Sequence, residues 1–304
     1  MIGKIIFIIF LILAAGLIAY FSYSIYQNFY SPVKNFNATL EETKPSYNSS
    51  LQFYPNMRFD HNKISYFISD LCDEKRTENI KSAFSIIDSK VSALSFHLDS
   101  ENSDIILTCS DENIEEGEDM FRAGMGGVEG DIPYTGEFYI IPNGNVTIYQ
   151  NINCNTPIVE IHEILHSLGF VHSENENSIM YPVSSCNEVI TNDIVLELER
   201  LYLIQALPDL YFTNVSASKQ GSYLNLEFSV RNKGIINAEN VSVILYAENN
   251  EKDRFNLGKI EPGAGKIYSV KNEKVPSSSQ IFKLKIIDGE ELNKENNEII
   301  LTLS

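Results

Sequence analysis

The sequence predicts an α+β protein of two domains, a mixed sheet around a histidine-bearing helix followed by an all-β sandwich, behind an N-terminal transmembrane helix. Three observations lead there. An uncharged apolar run opens the chain, alternating strand and helix patterns fill residues 61–207, and short strand-like segments fill residues 208–304. With 304 residues and 43% hydrophobic content, the chain can bury more than one core.

Residues 5–33 carry no charge, and residues 5–21 are almost wholly aliphatic or aromatic. Extended through Tyr26, the run holds about 20 residues, and ~1.5 Å of helical rise each matches a hydrocarbon core of ~30 Å. Lys4 and the amino terminus are the only positive charges near its leading end, which places the N-terminus in the cytoplasm and the remainder outside. Residues 1–26 therefore read as the anchor of a single-pass cell-membrane protein with its later domains extracellular. A cleaved signal peptide, giving a secreted protein, is the rival reading, and the length of the run favours the anchor. Residues 27–60 are polar, contain Pro32, Pro45 and Pro55, and read as a stalk.

Residues 63–69 form a β-branched and aromatic strand pattern, and residues 73–98 repeat apolar positions at helical spacing. With the short apolar strand at residues 104–108, they predict a βαβ opening containing a parallel pair. Residues 111–136 read as loop, with an acidic run and a glycine cluster. Residues 137–141 and 146–149 flank Pro-Asn-Gly-Asn and predict a hairpin. A helix is expected over residues 156–170, with Pro157 tolerated in its first turn. Another covers residues 192–203, with Thr191 as N-cap. Pro208 marks the second boundary. Beyond it, segments at 210–216, 223–231, 241–248, 266–271, 281–288 and 299–303 alternate as strands of a β-sandwich.

The formal net charge of −18 leaves no basic stripe, so a nucleic-acid partner is excluded. Cys72, Cys109, Cys154 and Cys186 all follow the anchor and form no close pair. An even number of exported cysteines predicts two disulfides, with three connectivities open.

The chemistry concentrates in HEILHSLGFVH, residues 162–172. His162 and His166 are four apart, so a helix stacks them on one face where both can reach one metal ion. Glu163 lies beside them, placed to accept a proton from water. Gly169 can turn the chain sharply enough to bring His172 round as a third ligand. Three neutral imidazoles leave one tetrahedral position open, the arrangement of a catalytic Zn2+ site. Chance would assemble these five positions in about one chain in 10⁵ at average residue usage. His61 and His97 match no motif and read as ordinary structural or surface residues.

HExxHxxGxxH followed by a methionine turn at residues 178–182 resembles the metzincin proteases, and HSENENSIMYP is most similar to their matrixin branch. The resemblance implies a mixed sheet with an active-site helix, a zinc-dependent endopeptidase, and protein or peptide substrates. It also implies that Met180 packs beneath the zinc-bound histidines. An extended substrate would pair with an edge strand, for which residues 137–141 or their hairpin partner are the candidates, and residues 182–185 would wall the pocket. Pro182 stands where astacins carry a zinc-binding tyrosine, so Tyr181 is not expected to ligate. The absence of cysteine between Tyr26 and His61 removes a cysteine-switch latency. Convergence of the methionine turn beneath the zinc helix predicts the disulfide 154–186, and neighbouring parallel strands predict 72–109.

Pro-Asp-Leu at 208–210, Leu-Gly-Lys-Ile-Glu-Pro-Gly at 257–263 and the Asn-rich tail at 293–298 resemble CARDB modules. That resemblance implies an Ig-like sandwich with a spacer role or surface binding through residues 208–304. The alternative reading of the whole chain is a catalytically decayed metzincin acting as a surface binding or adhesion protein. The intact Glu163 speaks against it.

Overall fold

The apolar opening run folds as one helix, α1 (Ile2–Ile25), in the computed structural model, which describes residues 2–26, 31–38, 51–117, 120–150, 152–183 and 185–303. Its segment Ile6–Ile25 has mean hydropathy 2.4, so α1 is long and apolar enough to cross a membrane. Strand β1 (Lys34–Ala38) follows. The chain divides into two units: residues 44–208 with 233–236, and residues 1–43 with 209–232 and 237–304.

The first unit runs β2 (Met57–Arg58), β3 (Lys63–Ile68), α2 (Glu74–Lys90), β4 (Ser95–Leu98), β5 (Ile105–Cys109), β6 (Glu115–Gly117) and β7 (Met120–Phe121). It continues through β8 (Gly124–Glu129), β9 (Tyr139–Ile140), β10 (Asn143–Ile148), α3 (Ile158–Ser167) and α4 (Asn192–Leu203). Five strands make a mixed sheet in the order β4-β3-β5-β10-β8, parallel throughout except for antiparallel β8 at one edge.

The βαβ opening is present, with a shorter helix than the periodicity predicts. Asp73 caps α2 by accepting the Arg76 amide at 2.9 Å, and the helix buries Ile80, Ala83, Phe84 and Ile87. Val91 turns to extended backbone (φ −120°, ψ 110°), and residues 95–98 leave the helical pattern to pair with β3. Neighbouring β3 and β5 meet as Ile68 opposite Leu107, which brings Cys72 and Cys109 to a Cα separation of 4.9 Å in a disulfide.

Two expectations are corrected here. Residues 137–141 and 146–149 do not form a hairpin. Strand β10 has one edge parallel to β5 and the other antiparallel to β8, so neither is left for β9. Its alternation buries Val146 and Ile148, which suits a central strand. Strand β9 instead pairs with Met57–Arg58. The glycine cluster, read as loop within residues 111–136, contributes β8 itself.

Residues 27–60 are not a free stalk where they are described. Leu51–Phe53 pairs with the chain after α3, and Met57 and Phe59 are buried. The Arg58 guanidinium, 1% exposed, donates to the Leu201 and Ile204 carbonyls at the end of α4 and lies 4.7 Å from the Tyr202 ring. A cation there complements the helix C-terminus. Much of the remainder of the expected stalk, residues 39–50, lies outside the described residues. His61 is structural as expected: it bridges Asp60 and Asp104, and Asp104 also accepts from the Ser65 amide and hydroxyl. These two carboxylates push the imidazole up to about 10.

The second unit adds β11 (Leu210–Gln220), β12 (Tyr223–Asn232), β13 (Ala238–Ala247), β14 (Asn250–Ile260), β15 (Gly265–Lys274), β16 (Phe282–Ile287) and β17 (Glu298–Leu303). Hydrogen bonds connect all of them and β1 in the order β14-β13-β16-β17-β1-β11-β12-β15. The ribbon folds over on itself as a sandwich, because its two end strands meet: Phe255 of β14 lies 5.1 Å from Tyr268 of β15. Strand β14 was not apparent in the sequence; NEKDRFNLGKI is charged and alternates weakly, as an edge strand does.

Strand β1 bridges β11 and β17, antiparallel to both, with Phe36 opposite Ala217 and Leu303. Phe36 is 2% exposed and meets the Phe282 ring edge-on at 5.1 Å. We predict that Phe36→Ala lowers the unfolding free energy of this unit by about 3 kcal/mol, the range for emptying a buried Phe site. Denaturant unfolding of the chain beyond α1 measures it; an unchanged midpoint would restore the stalk reading for residues 31–38.

Candidate metal centre

Helix α3 buries all ten of its residues, an apolar cylinder that carries two histidines and two glutamates inward. It ends in a Schellman turn. The Gly169 amide donates to the His166 carbonyl at 3.0 Å and the Phe170 amide to the Leu165 carbonyl at 3.1 Å. Gly169 sits at φ +91°, and a Cβ there would meet Met57 Sδ at 2.9 Å. Left-handed backbone and lack of space both select glycine at this position.

The turn sets the histidine chemistry. His166 Nδ1 lies 2.7 Å from the Phe170 carbonyl, and His162 Nδ1 lies 2.6 Å from the Ile179 carbonyl. A carbonyl only accepts, so both Nδ1 atoms carry the proton and both Nε2 atoms carry a lone pair. His166 Nε2 lies 3.0 Å from His162 Nε2 and 3.2 Å from His172 Nε2. Lone pairs this close repel unless a cation lies among them. Tetrahedral zinc with nitrogen ligands at ~2.0–2.1 Å requires nitrogens ~3.3 Å apart, so the donor set suits that ion. Burial holds His162 and His166 down at about 4, reinforced by the neighbouring imidazoles, and both are neutral ligands at neutral pH.

The third histidine and the methionine turn are fastened to each other. The Ser173 amide donates to the Met180 carbonyl at 2.8 Å, and the Ile179 amide to the Val189 carbonyl at 2.7 Å. Met180 is 1% exposed and belongs to the same core as Ile161, Ile164 and Leu165. The Cys154–Cys186 disulfide, with Cα atoms 5.3 Å apart, closes a covalent ring around α3, His172 and this turn.

A cleft of about 850 Å³ opens over the triad, lined by all three histidines, Glu163, β8, Ile152, Val159, Pro182 and Val183. The wall expected from residues 182–185 is thus supplied by Pro182 and Val183, while residue 184 lies outside the described residues. The edge strand is the main correction. Residues 137–141 do not line the cleft; Gly124, Met125 and Gly126 of β8 do. Strand β8 ends the sheet, and no further strand pairs with its outer edge among the described residues. Its glycines follow from proximity, since a Cβ on Gly126 would lie 2.1 Å from the Glu163 carbonyl oxygen and one on Gly124 2.6 Å from Glu163 Cγ. Phe53, half exposed in the cleft, also escaped sequence reading, because nothing in Gln-Phe-Tyr-Pro marks it. The glycine spacing at 124 and 126 was the one visible signal for β8.

Gly126→Ala should destabilise the chain by ~1–3 kcal/mol through overpacking against α3. Gly127→Ala, which meets nothing within 4 Å, should stay within about 0.5 kcal/mol of the parent. Thermal unfolding of the pair distinguishes close approach from simple strand propensity. The pH dependence follows from the buried imidazoles. The unfolded chain binds protons at an ordinary 6.5 while the folded one holds them only near 4, so protons favour unfolding. Stability of the metal-free protein should therefore be intact above about 6.5 and fall as pH drops towards 4, measured as Tm in chelator.

The matrixin family model matches residues 58–207, and the CARDB family model matches residues 207–299. No curated protein proved similar to the chain. The architecture is thus a matrixin domain followed by a CARDB domain.

Proposed function

We propose, from a matrixin domain whose three histidines and adjacent glutamate line one cleft, that this chain is a zinc-dependent endopeptidase. The observation that carries the reading is the convergence of three Nε2 atoms at 3.0 and 3.2 Å on the cleft floor. His162, His166 and His172 hold the ion. When bound, zinc supplies Lewis acidity, polarising a carbonyl and lowering the pKa of water towards ~7.

The chain's own residues do the rest. Glu163 takes a proton from the attacking water and delivers it to the leaving amine, as a general base and then a general acid. Its backbone packs closely against Gly126 and its side chain against Gly124, which puts the carboxylate beside the edge strand. An extended peptide pairs with the outer edge of β8, whose amides and carbonyls point away from β10 on alternate residues. Pro182, Val183, Val159 and Ile152 give the cleft an apolar part of its lining that suits a side chain of that peptide. In the anchored reading, α1 holds the enzyme at the outer face of the cell membrane and the CARDB domain serves as spacer or surface-binding module.

Two variants separate the base from the ligands. Glu163→Gln should keep about one zinc per chain while peptidase activity falls at least ~10²-fold. His166→Ala should lose zinc together with activity. Metal analysis and a peptide-library assay read both, and a Glu163→Gln chain that cleaves as fast as the parent would end the proposal.

A further inference from the structure

Phe53 lies outside every motif in the chain, yet it lines the cleft beside the triad. Its ring stacks on that of His166, with centroids 6.0 Å apart and planes at 29°, and 47% of the residue remains exposed. A phenylalanine serving only to fill a core would be covered. This one shows half its surface to the cleft, which the half-buried Val171 also lines.

The backbone keeps the ring in place. The Phe53 amide donates to the Gly169 carbonyl at 2.9 Å, the Val171 amide donates to the Leu51 carbonyl at 2.9 Å, and Gln52 bridges Phe170. Gln52 is itself buried and holds the next turn from both sides, donating to the Met57 carbonyl at 2.7 Å and accepting the Met57 amide at 3.0 Å. The segment carrying Phe53 is therefore strand-paired to the chain that leaves α3. That chain, residues 169–172, leads from the Schellman glycine to His172. A rigid aromatic face presented in this way suits an apolar partner, and a charged one would lose water there without compensation from Phe53 or Val171.

We propose that Phe53 and Val171 form an apolar subsite beside His166, which receives an apolar side chain of the extended peptide and selects it over an acidic one. This rests on the endopeptidase reading and assigns it a specificity-determining residue. The test uses binding, so that turnover is not needed. Zinc-loaded Glu163→Gln chain is titrated with a positional peptide set in which Phe, Leu, Ser and Asp are scanned through each position. At one position Phe or Leu should bind about tenfold more tightly than Asp, the scale of an apolar contact in a specificity pocket. Adding Phe53→Ala should erase that preference at that position alone, with zinc content unchanged, and Phe53→Leu should retain part of it. Unaltered selectivity in Phe53→Ala would overturn the subsite while leaving the endopeptidase reading intact. Loss of zinc in Phe53→Ala would overturn it too, making the ring a support for His166. Failure of the zinc-loaded Glu163→Gln parent to bind any peptide would overturn both.

Discussion

Two hydrogen bonds, from the Nδ1 atoms of His162 and His166 to the Ile179 and Phe170 carbonyls, set the arrangement of the histidine centre. They choose the tautomer, aim both Nε2 lone pairs at one point, and are made to backbone that lies outside α3. Each carbonyl must therefore be brought to the helix by other structure. The Phe170 carbonyl arrives through the Schellman turn at Gly169, and the Ile179 carbonyl through the methionine turn, which is itself held to Ser173 and Val189. The disulfide 154–186 joins the chain entering α3 to the chain leaving that turn. Ligand geometry here is a property of two loops as much as of a helix.

Burial supplies the second constraint. A helix buried on every side must pack closely all round, and it permits ionisable groups only where they are paired, neutral or in a cleft. Glu160 shows one solution: 3% exposed, it accepts Asn79 Nδ2 at 3.0 Å, and burial raises its pKa. His162 and His166 show another, since the same desolvation that disfavours their protonation leaves them as neutral donors for a metal. Close packing also dictates β8. Because the strand rests on Glu163, its glycines at 124 and 126 are a consequence of the helix beneath it.

That difference in origin explains which features were legible in the sequence. His162, Glu163, His166, Gly169 and His172 lie within eleven consecutive residues, so helical geometry and one glycine turn suffice to bring them together. The two disulfide pairings were legible from neighbouring elements: adjacent parallel strands for 72–109, and the convergence of the methionine turn on the motif helix for 154–186. Strand β8 was not. Glycine has poor strand propensity, and its use here depends on a helix more than 30 residues away in sequence. The missing hairpin has the same cause: Pro-Asn-Gly-Asn signals a local reversal, but β10 is claimed on both edges by β5 and β8. Phe36 and Phe53 sit among prolines and polar residues, where composition suggests a stalk and only long-range pairing shows otherwise.

The pairing of β1 has a topological consequence. Its residues run Lys34 opposite Lys219 to Asn37 opposite Ser216, so β1 pairs with the C-terminal half of β11, running towards the end at which β11 begins. Strand β1 ends at Ala38, the matrixin match covers residues 58–207, and the sandwich resumes at Leu210 in the strand that pairs with β1. The matrixin segment thus lies, along the sequence, between two strands that pair with each other in the CARDB-containing unit. The helix α1 ends at Ile25 and β1 starts at Lys34, so among the described residues the first strand after the apolar helix belongs to the sandwich. Along the chain, an anchor in α1 would grip the sandwich first. Cleavage of the chain between residues 38 and 51 would leave the matrixin segment joined to the sandwich through its C-terminal connection, while β1 stayed in the sheet by its hydrogen bonds and the packing of Phe36 and Ala38.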